Sequence, residues 1–195
     1  MAAPPPPDPI VIDIPDPSLI VLVGAAGSGK STFAARHFAA DEVLSSDAFR
    51  GLVRGDPSDQ TATKPAFAAL HRALSTRLNA RRLTVIDATN VHRHARRALV
   101  RRSSAAGVPA VAIVLDLPPA LVLARNAARV GPAVVPEPAV HAQLAALDGA
   151  LTRDPLPWPG FVTMHRLQTP DAVDAVVLRR VPLRVEARAR GTSQR

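Results

Sequence analysis

Short apolar segments of strand length alternate along the chain with longer segments whose apolar residues recur at helical spacing. The continuous apolar run at residues 18–23 ends at Gly24, as a strand buried on both faces does. Leu70, Leu74 and Leu78 recur every four residues, which predicts an amphipathic helix. The same criteria predict further strands at residues 43–45, 82–87, 109–116 and 161–167, and further helices at residues 31–40, 92–106, 118–129, 140–151 and 170–178.

This alternation predicts the fold class. Strands separated by helices of about 10 to 15 residues form right-handed βαβ units. We therefore expect an α/β fold, with a parallel sheet of about five strands covered by helices on both faces. Ligands bind at the carboxyl ends of such strands, so the loops after Gly24, Ser46, Asp87 and Asp116 are expected to line one cleft. The predicted domain spans residues 18–181, between a disordered Pro-rich tail (1–17) and a basic tail (182–195), with an irregular segment at 51–64.

The composition excludes several classes of protein. The 195 residues are enough for one domain with a buried core. The absence of Cys excludes a disulfide scaffold, a thiolate zinc site and a Cys nucleophile, and the six His fit no metal-ligand spacing. No apolar run approaches the ~20 residues of a membrane span, and the N-terminus lacks the features of a signal peptide. We therefore expect a cytoplasmic protein without a membrane partner.

The net charge of +8 is concentrated in the middle of the chain, where residues 61–130 carry 12 basic against 2 acidic residues. Such an excess fits a polyanionic partner such as nucleic acid, although it also fits a general replacement of Lys by Arg. Arg93, Arg97 and Arg101 form a basic stripe on a predicted helix, for which a solvated face is the favoured interpretation. Aromatic residues make up only 3% of the chain, which argues against single-strand binding by base stacking.

Residues 24–31 (GAAGSGKS) match the phosphate-loop pattern G-x-x-x-x-G-K-[ST] between a predicted strand and a predicted helix. Glycines allow successive N–H groups to turn towards an anion, and the helix dipole adds positive potential. Lys30 is expected to act on the outer phosphates, and the Ser31 hydroxyl to hold Mg²⁺. A glycine-rich turn with a purely structural role is the alternative. The predicted nucleotide-binding residues are Gly24, Ala25, Ala26, Gly27, Ser28, Gly29, Lys30, Ser31 and Thr32.

Polar residues after two other predicted strands point to an acceptor side and a metal. Asp47 is expected to face the phosphate loop and to accept the proton of an acceptor hydroxyl, or alternatively to cap a short helix. Arg50 lies on the same helical face and either binds the acceptor or pairs with Asp47. Asp87 ends an apolar strand and is expected to hold Mg²⁺ through water. Asn90 either binds the substrate or caps the helix that follows.

Arg125 and Arg129 are predicted to share a helix face just before the break GPAVVPEP. A helix that ends in such a break is typical of a mobile lid, here at about residues 125–138. Arginines on a lid can stabilise the charge that develops on a transferring phosphoryl group, which makes both residues candidate catalytic groups. A solvated pair is the alternative.

Six segments together carry a resemblance to a known family: GAAGSGKSTFA, VLSSDAFRGLV, DQTATKPAF, LTVIDATNV, VAIVLDLP and ARNAAR. In order and spacing they resemble the polynucleotide 5′-kinase module of bacterial RNA end-healing enzymes, roughly over residues 19–178. The resemblance implies a P-loop NTPase-type fold with a helical lid, and an ATP- and Mg²⁺-dependent kinase that acts on a 5′-hydroxyl end of RNA or DNA. It implies ATP and metal roles for Lys30 and Ser31, a general base at Asp47, an acceptor-side Arg50, and lid arginines at Arg125 and Arg129.

The chain departs from that family in two respects. Residues 130–133 (VGPA) stand where family lids commonly carry a further Arg, and no segment resembles a phosphatase or ligase module. Two alternative functions stay open. The first is a sugar, nucleoside or antibiotic kinase on the same fold. The second is a nucleotide-switched RNA-binding protein without transfer activity, against which Asp47 argues because a switch needs no acceptor base.

Overall fold

The computed structural model describes residues 8–54 and 63–183 of the chain. Within these ranges the strands are β1 (Ile10–Asp16), β2 (Leu19–Val23), β3 (Val43–Ser45), β4 (Thr84–Asp87), β5 (Ala110–Leu115), β6 (Thr163–Leu167) and β7 (Val176–Pro182). The helices are α1 (Lys30–His37), α2 (Ser46–Arg54), α3 (Thr63–Asn79), α4 (Arg93–Ala105), α5 (Pro119–Ala127), α6 (Glu137–Arg153) and α7 (Pro170–Asp174). Short 3₁₀ turns lie at Ala40–Glu42 and Gly131–Ala133.

Five strands form one parallel sheet in the order β3-β4-β2-β5-β6. Every residue of β2, β4 and β5 is buried, whereas β3 at one edge is only half-buried. Central strands buried on both faces read as continuous apolar runs, which is why the sequence pattern located them. The predicted α/β fold, with about five parallel strands and helices on both faces, is confirmed.

Alternate residues of β2 pack into two different layers. Leu19, Val21 and Val23 belong to a cluster with apolar residues of α3, α4 and α6. Ile20 and Leu22 face the opposite side, where they pack with residues of α1, β1 and β7. Because side chains alternate along a strand, one apolar run fills both layers of the core.

The prediction of a disordered tail over residues 1–17 is wrong for the segment Ile10–Asp16, while residues 1–7 lie outside the described part. This segment forms β1, which pairs in parallel with β7 as a second, two-stranded sheet. Ile12 and Ile14 are fully buried against the main sheet. The domain therefore begins before residue 18, because β1 supplies part of one core layer. Of the predicted basic tail (182–195), only its first residue belongs to β7, which ends at Pro182. Residues 184–195 lie outside the described part.

Two local predictions are also corrected. The helix expected at residues 170–178 ends at Asp174, and the β-branched run that begins at Val176 forms β7 on the partner that β1 provides. The irregular segment expected from residue 51 is helical in α2 as far as Arg54 and again in α3 from Thr63. Residues 55–62 lie outside the described ranges.

Candidate active site

The phosphate loop connects β2 to α1 at the carboxyl edge of the sheet. Gly27 has a φ of 89°, and a Cβ at this position would collide with the carbonyl oxygen of Val122 on α5. Only glycine fits a position that combines a left-handed backbone with so close a neighbour. The loop is thereby held against the helix that leads to the predicted lid.

Lys30 is buried beneath this loop at the start of α1. Its Nζ donates hydrogen bonds to the carbonyl oxygens of Gly24 and Ala25, both at 2.8 Å. Burial lowers the pKa of Lys30 to about 8, and the Asp87 carboxylate opposes this shift. The structure thus places the ammonium group against the first residues of the loop, and its action on the outer phosphates stays a prediction.

Ser31 and Asp87 meet although 56 positions separate them in sequence. The Ser31 Oγ donates a hydrogen bond of 2.7 Å to Oδ2 of Asp87. The register of β2 and β4 pairs Leu22 with Asp87, which brings the carboxylate beside the start of the phosphate loop. A hydroxyl and a carboxylate are oxygen ligands of the kind that Mg²⁺ prefers, so these two residues fit the predicted metal site.

Two cavities border the phosphate loop, and different residues of the loop line each of them. One, of about 410 Å³, is lined by Gly27, Ser28, Gly29 and Thr32 together with Arg125, and we name it the donor cavity. Its size is within the range of small-molecule sites, about 300 to 1,000 Å³. On its outer side, the guanidinium of Arg36 on α1 donates to Asp174 on α7 at 2.9 Å.

The second cavity, of about 260 Å³, is named the acceptor cleft. Asp47 lines it on one side, and Ala26, Lys30 and Ser31 line it on the side of the loop. Arg129 lines both the donor cavity and the acceptor cleft. Arg129 can therefore contact groups bound in either cavity.

Asp47 lies in the first turn of α2, which begins at Ser46, so Asp47 is not the residue that caps this helix. Its side chain is 66% exposed and its Oδ1 is paired with the guanidinium of Arg50. The Ser46 hydroxyl donates to the same oxygen at 3.2 Å. The expected pairing of Arg50 with Asp47 is thus observed, at the wall of the acceptor cleft.

Asn90 makes structural contacts with the backbone, while its expected role in substrate binding stays a prediction. Its side-chain amide donates to the carbonyl oxygens of Leu22 at 2.8 Å and Ala88 at 3.2 Å. The cap of α4 is His92, so the prediction that Asn90 caps this helix is wrong. With a φ of 51° and 5% exposure, Asn90 ties the β4–α4 turn to β2, and it lines a cavity between α3 and α4 rather than the acceptor cleft.

The predicted lid is a short turn between α5 and α6. Helix α5 ends at Ala127, so Arg129 lies in the turn beyond it and does not share a helix face with Arg125. Asn126 is buried, and its side chain both donates to and accepts from the backbone of Val135, at 2.7 Å and 3.2 Å. This clamp closes the turn and holds Arg129 between the two cavities.

Gln143 on α6 and Phe67 on α3 line the acceptor cleft, although the sequence patterns predicted no role for either residue. Gln143 accepts a hydrogen bond of 2.8 Å from the backbone N–H of Ala26. Val140 and Leu147 mark the inward face of α6, and Gln143 occupies the same face. A polar residue within an apolar helical stripe was the available signal, since such residues contact other elements of the fold.

Part of the basic excess of residues 61–130 serves the fold itself. Arg96 is buried, its guanidinium stacks 3.7 Å from the ring centre of Trp158, and it donates to Asp154 at 3.1 Å. Arg77 donates to the backbone of Leu83 at 3.0 Å. The predicted basic stripe lines a separate cavity of about 210 Å³ beside Trp158, formed in part by Arg93, Arg97 and Arg101.

A parallel sheet of this order, a phosphate loop that leads into α1, and a Ser–Asp pair beside it define a P-loop NTPase-type kinase fold. A family model supports the assignment at the level of sequence. The chain belongs to the AAA domain family, whose model matches residues 19–153. No significant match was found among curated proteins.

Solved structures share the fold. A sugar kinase from Janibacter sp. HTCC2649 is 24% identical with a TM-score of 0.53, over 78% of this chain and 85% of that chain. The AvrRxo1-ORF1:-ORF2 complex with ATP is 14% identical with a TM-score of 0.55, over 70% and 49%. The Pnkp1/Rnl/Hen1 RNA repair complex is 25% identical with a TM-score of 0.61, over 73% of this chain. The chain spans 47% of the length of the protein it matches in that complex.

None of the helices in the described part of the chain combines the length and the apolar character that a membrane span requires.

Proposed function

We propose that this chain is an ATP- and Mg²⁺-dependent kinase that transfers the γ-phosphoryl group of ATP to a 5′-hydroxyl end of RNA or DNA. The observation that carries the proposal is the arrangement around the phosphate loop. Asp47 lines the acceptor cleft, the donor cavity borders other residues of the same loop, and Arg129 lines both cavities. The similarity to a chain of an RNA repair complex supports the nature of the acceptor.

Asp47 is the proposed general base. Among the described residues, the contacts from Ser46 and Arg50 both go to Oδ1. These contacts orient the carboxylate and leave Oδ2 to accept the proton of the attacking 5′-hydroxyl. A positioned carboxylate of this kind contributes about 10²- to 10⁴-fold to the rate.

Mg²⁺ would be held by the Ser31 hydroxyl and, through water, by Asp87, and when bound it neutralises charge on the phosphates. Lys30 contacts the loop through the carbonyl oxygen of Gly24, and Arg125 lines the donor cavity beside the loop. Together with Arg129 they place positive charge where the phosphoryl group gains negative charge in the transition state. The chain's own contribution is thus orientation, electrostatic stabilisation and removal of one proton.

The surroundings of Phe67 support a nucleotide as the acceptor. Phe67 lines the acceptor cleft and also an adjoining cavity of about 310 Å³ between α3 and α4, whose lining is mostly apolar. His71 lines the same cavity, and burial lowers its pKa, which favours the neutral ring. A flat, weakly polar nucleobase suits such a cavity, whereas a sugar requires hydrogen-bonding groups around its hydroxyls.

A small-molecule kinase is the second candidate function. The sugar kinase from Janibacter is matched over 85% of its chain, so a protein of this extent is known to carry that activity on this fold. Asp47 as general base and the phosphate loop would phosphorylate a sugar or nucleoside hydroxyl by the same chemistry. The two candidates differ only in the acceptor.

The decisive experiment measures transfer from γ-labelled ATP to a 5′-hydroxyl oligonucleotide, in RNA and DNA forms, and in parallel to a panel of sugars and nucleosides. We expect the oligonucleotide to be phosphorylated with Mg²⁺ present and a 5′-phosphorylated oligonucleotide to be inert. Transfer to a sugar or nucleoside alone would establish the second candidate. Consumption of ATP that depends on no acceptor would favour a nucleotide-switched RNA-binding protein.

A further inference from the structure

The side chain of Gln143 joins helix α6 to the phosphate loop by a hydrogen bond, and the proposed reaction has not used this residue. Oε1 of Gln143 accepts a hydrogen bond of 2.8 Å from the backbone N–H of Ala26, 117 positions away. Gln143 is half-buried and lines the acceptor cleft. A loop N–H that faces an anion site is thus occupied by a neutral side chain.

The backbone N–H of Ala26 determines which atom of the Gln143 amide faces the loop. A backbone N–H can only donate, so the oxygen of Gln143 must point at Ala26. The NH₂ group is left with two hydrogens to donate, and among the described residues no acceptor lies within hydrogen-bond distance of it. Unsatisfied donors at the wall of an anion site are available to an incoming ligand.

The position of Ala26 identifies that ligand. Ala26 lines the acceptor cleft, whereas Gly27, the next residue, lines the donor cavity. One of the points at which the loop changes from one cavity to the other therefore lies here, and Arg129 lines both cavities. The phosphoryl group that moves from ATP to an acceptor must pass from the donor cavity to the acceptor cleft, whereas the α- and β-phosphates stay with the donor.

We propose that Gln143 recognises the γ-phosphoryl group of ATP, with Oε1 anchored on the Ala26 N–H and Nε2 donating a hydrogen bond to a γ-phosphoryl oxygen. This inference rests on the part of the proposed function that makes ATP the donor, and not on the identity of the acceptor. Gln143 then distinguishes ATP from ADP and joins α6 to the reacting group. A hydrogen bond to a charged oxygen is strong enough to change affinity about tenfold.

The test compares the affinities of Gln143→Glu for ATP and for ADP, without any acceptor. The carboxylate keeps an oxygen for Ala26 but cannot donate, and it repels the γ-phosphoryl group. We expect ATP to bind about tenfold or more weakly and ADP to bind within about twofold of wild type. Gln168→Glu is the matched control, because Gln168 lines a separate cavity with Asp116 and His141, and its ATP-to-ADP ratio should equal that of wild type.

Equal weakening of ATP and ADP binding would show that Gln143 only supports the loop. Wild-type affinity of the variant for both nucleotides would likewise overturn the inference. If the Glu variant fails to fold, the ATP and ADP affinities are compared in Gln143→Met, whose side chain is of similar size but lacks a hydrogen-bond donor. The readout needs no acceptor, so a wild type that binds ATP but phosphorylates no oligonucleotide would refute the polynucleotide acceptor alone. A wild type that does not bind ATP would refute both.

Discussion

The hydroxyl of Ser31 donates a 2.7 Å hydrogen bond to the carboxylate of Asp87, which joins the start of α1 to the end of β4. Ser31 is exposed at the cleft, whereas Asp87 is 7% exposed. The strand pairing of β2 with β4 holds Asp87 in place, so the fold itself positions the two oxygens beside each other. This pre-organisation reduces the rearrangement that Mg²⁺ binding requires.

Replacing Asp87 with Asn should therefore raise the Mg²⁺ concentration needed for half-maximal transfer by about 10- to 100-fold, the range found for partners outside the first ligand shell. The amide keeps an oxygen for the Ser31 hydroxyl but loses the charge. Titration of the transfer rate with Mg²⁺ measures the change. Asp116→Asn is the control, since Asp116 also follows a strand but pairs with Arg166. An unchanged Mg²⁺ requirement in Asp87→Asn would contradict the metal assignment.

Asp47→Asn should lower the transfer rate by about 10²- to 10⁴-fold, because the amide cannot take the proton of the acceptor hydroxyl. ATP affinity and the melting midpoint should stay near wild type, since the phosphate loop is untouched. The comparison measures the rate of phosphorylation of a 5′-hydroxyl oligonucleotide.

Asp41→Asn is the matched control, an exposed carboxylate that pairs with Arg82 outside the cleft. A rate for Asp47→Asn within about threefold of wild type corresponds to only ~0.7 kcal/mol and would exclude Asp47 as the base.

Arg125→Ala and Arg129→Ala should each lower kcat more than they weaken ATP binding. Both side chains line the donor cavity, and Arg129 also lines the acceptor cleft. They can therefore contact the negative charge that develops on the transferring phosphoryl group only in the transition state. Steady-state kinetics with varied ATP separates the two effects, with Arg82→Ala as control. If turnover is unchanged and only the KM for ATP rises, the two arginines are binding residues.

Ile12→Ala should lower the free energy of unfolding by about 2 to 5 kcal/mol, because Ile12 of β1 is fully buried in the core. The neighbouring Val11 is 52% exposed, so Val11→Ala should stay within about 0.5 kcal/mol of wild type. Denaturant unfolding of the three proteins measures both values. Equal effects of the two substitutions would mean that β1 does not pack as described.

Stability should fall as the pH drops below about 6.5, the ordinary pKa of His. Burial lowers the pKa of His37 and of His165 in the folded chain, so the unfolded chain binds more protons in this range. Proton uptake therefore favours unfolding, and stability returns as the pH rises through that value. Melting midpoints at about pH 7.5 and about pH 5 check this in wild type, His37→Gln and His165→Gln. An equal pH dependence in all three would contradict it.

The sequence by itself determined the features that depend on neighbouring residues. The spacing GAAGSGKS specifies the phosphate loop, because each glycine and Lys30 acts within one turn of backbone. Continuous apolar runs identified β2, β4 and β5, since a strand buried on both faces needs no partner to be recognised. The position of Asp47 relative to the loop followed from the rule that parallel strands end at one edge.

Only the tertiary structure decided the features that depend on distant segments. The strand β1 exists because β7 pairs with it across more than 150 residues, and neither segment alone has a pattern that predicts the pairing. Asn90 is held by Leu22, and Gln143 by Ala26, through contacts that the local sequence does not encode. Helical periodicity reports which side of a helix is buried, but the folded chain decides which backbone atom a polar residue on that side will meet.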